Sequence, residues 1–290
     1  MELGIGSYAF RWSIGSAAFA PPVPLRCADL VEQTAALGCT LLQIADSREL
    51  DSMSDEGLAV LREQAASVGV RLQTGTSGAT VERLLANLYI AESLNADIVR
   101  LVLDSEDAHP TLSECEAVLR EVVPRYVDSG IAMAIENHFL TSSTDMLSLI
   151  ENVGSSAVGV CLDTANSIMA GEWPETTIGL LADYVLCAHV KDYAIVPHIH
   201  GTGGHLVGRP MGTGWLDTGA VLASLAGADA KADGRLGVLL EQWFPIQEDP
   251  ASTVAEEQEW RQLGVEYLRS FIAPADPGSD PQPQGNPKGG

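Results

Sequence analysis

The chain has 290 residues, 46% of them hydrophobic, and a formal charge of -23 from 39 acidic and 16 basic side chains. That apolar content takes it out of the disordered class, and an acidic excess spread along the chain repels nucleic acid and anionic membranes. No uncharged apolar run is long enough to cross a bilayer, and the opening MELGIGSYAFRW lacks the basic, apolar and small-residue order of an export signal. Five cysteines, an odd number without CxxC spacing, fit a reduced, cytoplasmic protein better than a disulfide framework.

In chain order, a strand over 3–8 (LGIGSY) precedes a helix over 25–37, and a strand over 40–45 (TLLQIA) precedes a helix over 55–68. Strands over 70–74 (VRLQT) and 97–102 (DIVRLV) lead to helices over 80–94 and 111–129. Strands over 131–136, 157–163 (AVGVCLD), 184–190 (YVLCAHV) and 236–241 (LGVLLE) lead to helices over 142–153, 174–182, 217–226 and 252–271. Gly38, Gly69 and Gly130 suit helix ends, and Thr111 and Ser142 suit helix starts.

Strands alternating with helices imply parallel βα units, and eight such units close into a barrel. The expected fold is therefore α/β, an eight-stranded parallel (β/α)8 TIM barrel, as a single domain over 1–272. Residues 191–216, rich in glycine and histidine, form a connection long enough to cover a site. Residues 273–290 (APADPGSDPQPQGNPKGG) read as a disordered Pro/Gly-rich tail.

The run IAMAIENHF (131–139) carries the first chemical signal, because a buried strand that ends in ionisable groups needs partners for them. Alternation places Ala132, Ala134 and Glu136 on one side of strand five, and Gly159, Cys161 and Asp163 on one side of strand six. It places Val185, Cys187 and His189 together on strand seven, and Gly237, Leu239 and Glu241 on strand eight. Each inward series turns ionisable at its carboxyl end, the rim where barrel sites are built. Glu136, Asp163, His189 and Glu241 then form a candidate metal set of charge -3 that a divalent cation would relieve. Three oxygens and one nitrogen resemble Mn2+ or Mg2+ chemistry more than a thiolate zinc site, with Mn2+ foremost and Co2+ or Fe2+ as alternatives. Cys161 and Cys187 read as small core residues beneath the site.

The chain resembles the xylose isomerase-like barrels of the sugar phosphate isomerase/epimerase superfamily. The resemblance rests on IAMAIENHF, VGVCLDTANS (158–167), VLCAHVKDY (185–193), VGRPMGTGWLD (207–217) and LLEQW (239–243), and covers nearly all of the chain before the tail. It implies that Glu136, Asp163, His189 and Glu241 are the metal ligands, and it allows for a homo-oligomer. Relatives of this kind include epimerases, isomerases, dehydratases, oxo-acid decarboxylases and a nuclease branch whose larger histidine set holds three metals. With six histidines, only His189 on a matched strand, and its acidic charge, this chain is not expected to be a nuclease. Ketohexose epimerases of the group carry a histidine three positions after the strand-six aspartate, where this sequence has Asn166.

Glu136 and Glu241, approaching from different strands, are expected as the pair that removes and returns a proton, with Lys191 as a third catalytic residue that neutralises the residual negative charge of the ligands, donates a proton or binds a carboxylate. A salt bridge to Asp192 is the alternative for Lys191. His138, in phase with Glu136, is assigned to binding substrate or to orienting a metal ligand, and Asn137 to packing of the loop. His198 and His200, alternating along VPHIHG, are expected to face substrate oxygens, or else with His205 to be ordinary loop residues. Arg209 is a candidate clamp for an anion. Tyr8, Trp12, Gln43 and Gln73 would form one side of a sugar-sized pocket and Trp243 the other. The leading expectation is a metal-dependent isomerase or epimerase of a small polyhydroxylated carbonyl compound, working through an enediolate. A dehydratase, decarboxylase or lyase of an oxo-sugar or its acid is the first alternative, and a non-catalytic sugar-binding barrel the second. Neither nucleic acid nor membrane is an expected partner.

Overall fold

The computed structural model describes residues 1–272, so the tail expected over 273–290 lies outside the described residues. Its strands are β1 (Glu2–Gly6), β2 (Leu41–Ala45), β3 (Arg71–Ser77), β4 (Ile98–Val102), β5 (Ala132–Glu136), β6 (Val158–Asp163), β7 (Val185–Val190), β8 (Asp192–Pro197), β9 (Gly204–Arg209) and β10 (Gly237–Leu240). Eight of them, in the order β1-β10-β7-β6-β5-β4-β3-β2, close into a barrel in which every pair is parallel. This is the expected (β/α)8 architecture. Among the described residues no helix is long and apolar enough to cross a membrane.

Local chemistry explains where the surrounding helices begin and end. Thr111 caps the helix Leu112–Ser129 by accepting from the Glu114 amide, while the Glu114 carboxylate accepts from the Thr111 amide at 2.7 Å. Ser142 caps Ser143–Val153 by accepting from the Asp145 amide at 3.1 Å. Gly130 closes the Leu112–Ser129 helix at φ +67°, a conformation that L side chains rarely adopt.

Inside the barrel, Leu41, Ile98, Ala134, Cys161, Cys187 and Leu239 pack into one buried apolar layer. A larger apolar shell lies between the strands and the helices. Inward positions toward the carboxyl ends of the strands are ionic instead, so the barrel is plugged by hydrocarbon in its middle and charged at its mouth.

Two segments differ from expectation. Residues 191–216 are not an irregular connection: β8 and β9 form an antiparallel hairpin running from Asp192 opposite Arg209 to Pro197 opposite Gly204. The strand residues YAIV and HLVG flank a turn containing Gly201 and Gly203, both at positive φ. The first strand also ends at Gly6, and Ser7–Phe10 form a short 3-10 turn that carries Tyr8 away from the sheet.

Candidate metal centre

Four buried side chains from β5, β6, β7 and the residue after β10 meet in the mouth. His189 Nδ1 stands 3.2 Å from Glu241 Oε1, 3.6 Å from Glu136 Oε2 and 4.0 Å from Asp163 Oδ2. The orientation of that ring follows from a chain of amides below it. His189 Nε2 lies 2.7 Å from Gln43 Oε1, the Gln43 amide donates to Gln73 Oε1 at 3.1 Å, and the Gln73 amide points to Asp97 Oδ1 at 3.5 Å. Asp97 as a carboxylate can only accept, so each link donates downward and His189 Nε2 donates to Gln43.

That turns Nδ1 toward the carboxylate oxygens, where it has no hydrogen-bond partner. Three carboxylates facing one another in a buried space repel unless a cation stands among them. Asp163, His189 and Glu241 offer ligand atoms within 4.8 Å of one another, a triad fit to hold a divalent ion. Glu136, Cys161 and His189 satisfy the same distance, but burial, reinforced by Cys187 and Glu136, pushes the Cys161 thiol well above its ordinary range. A protonated thiol is a poor ligand, so the oxygen-rich set is the better cation site.

The backbone around the site is stapled from strand to strand. Asn137 accepts from the Asp163 amide at 2.7 Å and donates to the Asp163 carbonyl at 2.8 Å. Thr164 repeats the device one strand on, accepting from the Lys191 amide and donating to the Lys191 carbonyl, both at 3.0 Å. Asn137 therefore sets the height of Asp163 rather than packing a loop. Asp163 Oδ1 also accepts from the amides of Ala165 and Asn166, each at 2.9 Å, which turns Oδ2 toward the other ligands.

Two buried cations border the cluster. Lys191 Nζ lies 2.7 Å from Asp163 Oδ2 and 2.9 Å from Glu241 Oε2, between the rings of Tyr8 and Trp243 at 5.5 and 5.1 Å. It does not pair with Asp192, whose carboxylate accepts from the amides of Tyr193, Gly212, Gly214 and Leu216 and so wraps the GTGW segment around itself. Arg100 on β4, which sequence reasoning missed, pairs through Nε with Glu136 and through Nη1 with Asp46 at 2.7 Å. Burial opposes both cations, but Glu136 and Asp46 hold Arg100, and Asp163 and Glu241 hold Lys191, above their ordinary ranges.

The same field acts on the acids. Burial alone would raise Glu136, yet Arg100, His189 and Lys191 bring it down to about 2, and Asn166 donates to its Oε1 at 2.7 Å. Burial lifts Asp163, with Lys191 pulling down and Glu136 and Glu241 adding to the rise.

The remaining expected site residues fall into three groups. His138 stacks on Phe139 at 4.2 Å, and Phe139 approaches Trp243 at 6.4 Å, so these rings form one wall of the mouth; Tyr8 stands across Lys191 from Trp243. Arg209 is exposed at the foot of the hairpin, where it lines an apolar groove with Phe139, Met169 and Trp243. Gln43 and Gln73 lie below His189 and spend their amides on the chain to Asp97, so they orient the imidazole instead of facing the mouth. Trp12 donates its indole N–H to the Phe244 carbonyl at 2.8 Å and is held as a strut between the ends of β1 and β10. His198 and His200 are not brought to the site: Pro197 ends β8 before them, and they occupy the hairpin turn. A cavity of about 1230 Å³ lies at the opposite end of the barrel, bordered by Arg71, Asp97 and Gly237.

Comparison with known proteins gives the geometry a lineage. The chain is 31% identical over 268 residues, 92% of its length and 95% of the relative's, to the 3-oxo-isoapionate decarboxylase of Pectobacterium atrosepticum. Among solved structures it is similar to a D-psicose 3-epimerase in the presence of D-fructose, with TM-score 0.68, 15% identity, and 95% and 100% of the two chains covered. A xylose isomerase-like barrel from Mycobacterium smegmatis in complex with magnesium gives TM-score 0.64 at 15% identity, with 92% and 97% covered. At such identities the likeness to the solved structures is one of fold. The family model for the xylose isomerase-like TIM barrel matches residues 31–263, and the chain belongs to that family.

Proposed function

We propose that the protein is a divalent-metal-dependent decarboxylase of a 3-oxo sugar acid. The observation that carries this reading is the pair of buried cations, Arg100 and Lys191, set into a mouth that already gathers three carboxylates. Together these five groups carry one net negative charge; a dication makes that one net positive charge, which matches a substrate with one carboxylate. Asp46 offsets part of this, but it is half exposed and screened. The activity of the Pectobacterium relative, a 3-oxo-isoapionate decarboxylase aligned over nearly the whole of both chains, supports the same class.

Asp163, His189 and Glu241, with Glu136 beside them, would hold the metal, which when bound polarises a ketone and a neighbouring hydroxyl. Arg100 and the exposed Arg209 offer guanidinium groups to the leaving carboxylate. The C–C bond to that carboxylate breaks, its electron pair moves to the oxygen of the former ketone, and carbon dioxide leaves. The vacated carbon then needs one proton, which the Lys191 ammonium is placed to deliver. Lys191 holds its proton tightly beside Asp163 and Glu241, and sharing those carboxylates with a cation loosens it. No base is required to remove a C–H proton. That suits a site whose Glu136 is occupied by Arg100 and Asn166 and held near 2, far below what a general base at neutral pH requires.

Isomerisation or epimerisation, the leading expectation from sequence, is favoured by one observation. Glu136 and Glu241 reach His189 Nδ1 from different strands, as a two-base proton transfer would need. Incubating the Mn2+-loaded protein with ketoses, 3-oxo sugars and 3-oxo sugar acids in deuterated water separates the two. The expected result is carbon dioxide release from an oxo acid with one deuteron in the product; deuterium exchange into ketoses without mass loss would overturn it.

A further inference from the structure

One buried group beside the oxygen-rich triad has no part in it. Cys161 stands opposite Glu136 in the β5–β6 register and opposite Cys187 in the β6–β7 register. It precedes Asp163 by two residues on the same face of β6, so its backbone lies about 6.6 Å deeper in the barrel. There it belongs to the inner apolar layer and is fully buried.

Glu136, Cys161 and His189 nevertheless offer one ligand atom each, all within 4.8 Å of one another. His189 Nδ1, which has no hydrogen-bond partner, stands 3.6 Å from Glu136 Oε2. Asn166 holds Glu136 Oε1 at 2.7 Å, which leaves Oε2, shared with Arg100, as the ligand oxygen. Nitrogen and carboxylate oxygen bound to one tetrahedral zinc-like ion lie about 3.4 Å apart, and nitrogen and thiolate sulfur about 3.5 Å. Two of the three groups are therefore already near ligating separation, and closing the set on an ion requires side-chain shifts of little more than about 1 Å.

We infer that Glu136, Cys161 and His189 form a second, deeper metal position for thiophilic dications of the Zn2+ and Cd2+ class, and that an ion held there excludes Mn2+ or Mg2+ from the oxygen-rich position by taking His189. Sulfur, nitrogen and oxygen together select such ions, whereas Mg2+ and Mn2+ prefer the carboxylates above. The bond from the ion to sulfur forms as the thiol proton is released to solvent, because a coordinating thiol is deprotonated outright. Burial keeps that proton on Cys161 in the metal-free protein, so ions with little affinity for sulfur leave it in place. The two positions thus sort metals by ligand chemistry, whatever reaction the mouth carries out.

The test is a Cd2+ titration of the metal-free full chain, read by the thiolate-to-Cd2+ charge-transfer absorption in the ultraviolet, with Mn2+ binding to the same proteins followed by its paramagnetic resonance. Wild type is compared with Cys161→Ser and with Cys187→Ser, the neighbouring thiol. The expected result is a band that saturates at one equivalent in the wild type and in Cys187→Ser. Cys161→Ser should lose the band and bind Cd2+ about 10–100-fold more weakly, since losing a ligand costs at least as much as losing a ligand's support, while binding Mn2+ as the wild type does. Cd2+ binding without the band in the wild type, a band that persists in Cys161→Ser, or one that disappears with Cys187 instead would overturn the inference. Circular dichroism checks that the variants are folded, and Cys161→Ala, which adds no polar group to the apolar layer, carries the same comparison if the serine variant unfolds.

Discussion

Replacing Arg100 by methionine isolates the cation that sequence reasoning did not foresee. In the metal-free protein Arg100 is the main reason that Glu136, against the effect of its own burial, titrates at about 2 instead of its ordinary 4.5. A depression of that size is worth about 3 kcal/mol of stability at neutral pH, and breaking a buried ion pair by removing one partner costs about 3–5 kcal/mol. Asp46 also loses its partner but is half exposed, so that loss adds little. Arg100→Met is thus expected to lower Tm by roughly 6–10 °C for a domain of this size. The sign of the pH dependence follows from the direction of the shift. A carboxyl held lower in the folded state contributes fully above its unfolded value near 4.5 and stops contributing as pH falls through about 2. The gap between wild type and Arg100→Met should therefore be widest at neutral pH and close on acidification. Urea unfolding of both proteins in chelator, from neutral pH down to about pH 3, measures this. A gap that is absent at neutral pH, or constant across the series, would refute the account of Arg100 as the counter-charge of Glu136.

Other substitutions probe the remaining parts of the mouth. Gly6 has an ordinary φ of -83°, so alanine is tolerated by the backbone there, but its Cβ would lie 2.9 Å from Glu241 Oε1. Gly6→Ala should weaken Mn2+ binding about tenfold by displacing that carboxylate, with little change in Tm; unchanged Mn2+ affinity would show that Glu241 is not needed where it stands. His189→Ala should lose metal after dialysis that leaves the wild type occupied, as counted by elemental analysis, and Gln43→Ala should weaken metal binding about 10–100-fold by freeing the imidazole. Lys191→Met should lower turnover of an oxo acid by about 10²-fold or more. The same variant should hold its metal as tightly as the wild type or more so, because the ammonium no longer competes for Asp163 and Glu241; wild-type turnover would remove Lys191 from the chemistry.

How much of this the sequence discloses depends on whether a residue's position is set by period alone or also by depth and partners. The eight strands were legible because each is a short apolar run between helical stretches, and the inward phase of Glu136, Asp163 and His189 follows from a period of two. Arg100 obeys the same phase, since Ile98 beside it belongs to the inner apolar layer, but one arginine in DIVRLV reads as an outward surface group until Glu136 is seen next to it. Gln43 and Gln73 are inward too; their amides run from His189 down to Asp97, and only coordinates reveal that a polar group on the right face can lie beneath a site instead of in it. The hairpin was hidden by composition, because glycine and histidine suggest a loop, although the apolar residues of YAIV and HLVG on either side of GTGG carried its signal. His198 and His200 show the converse error. Alternation has meaning only while the chain remains extended, and Pro197, the last residue of β8, ends the strand before the pattern begins. A ligand reading based on residue type and spacing is strong where tertiary hydrogen bonds hold the strand, as at Asp163, whose amide and carbonyl are both taken by Asn137. It is weak in a turn, where the backbone decides afresh at every residue which way a side chain points.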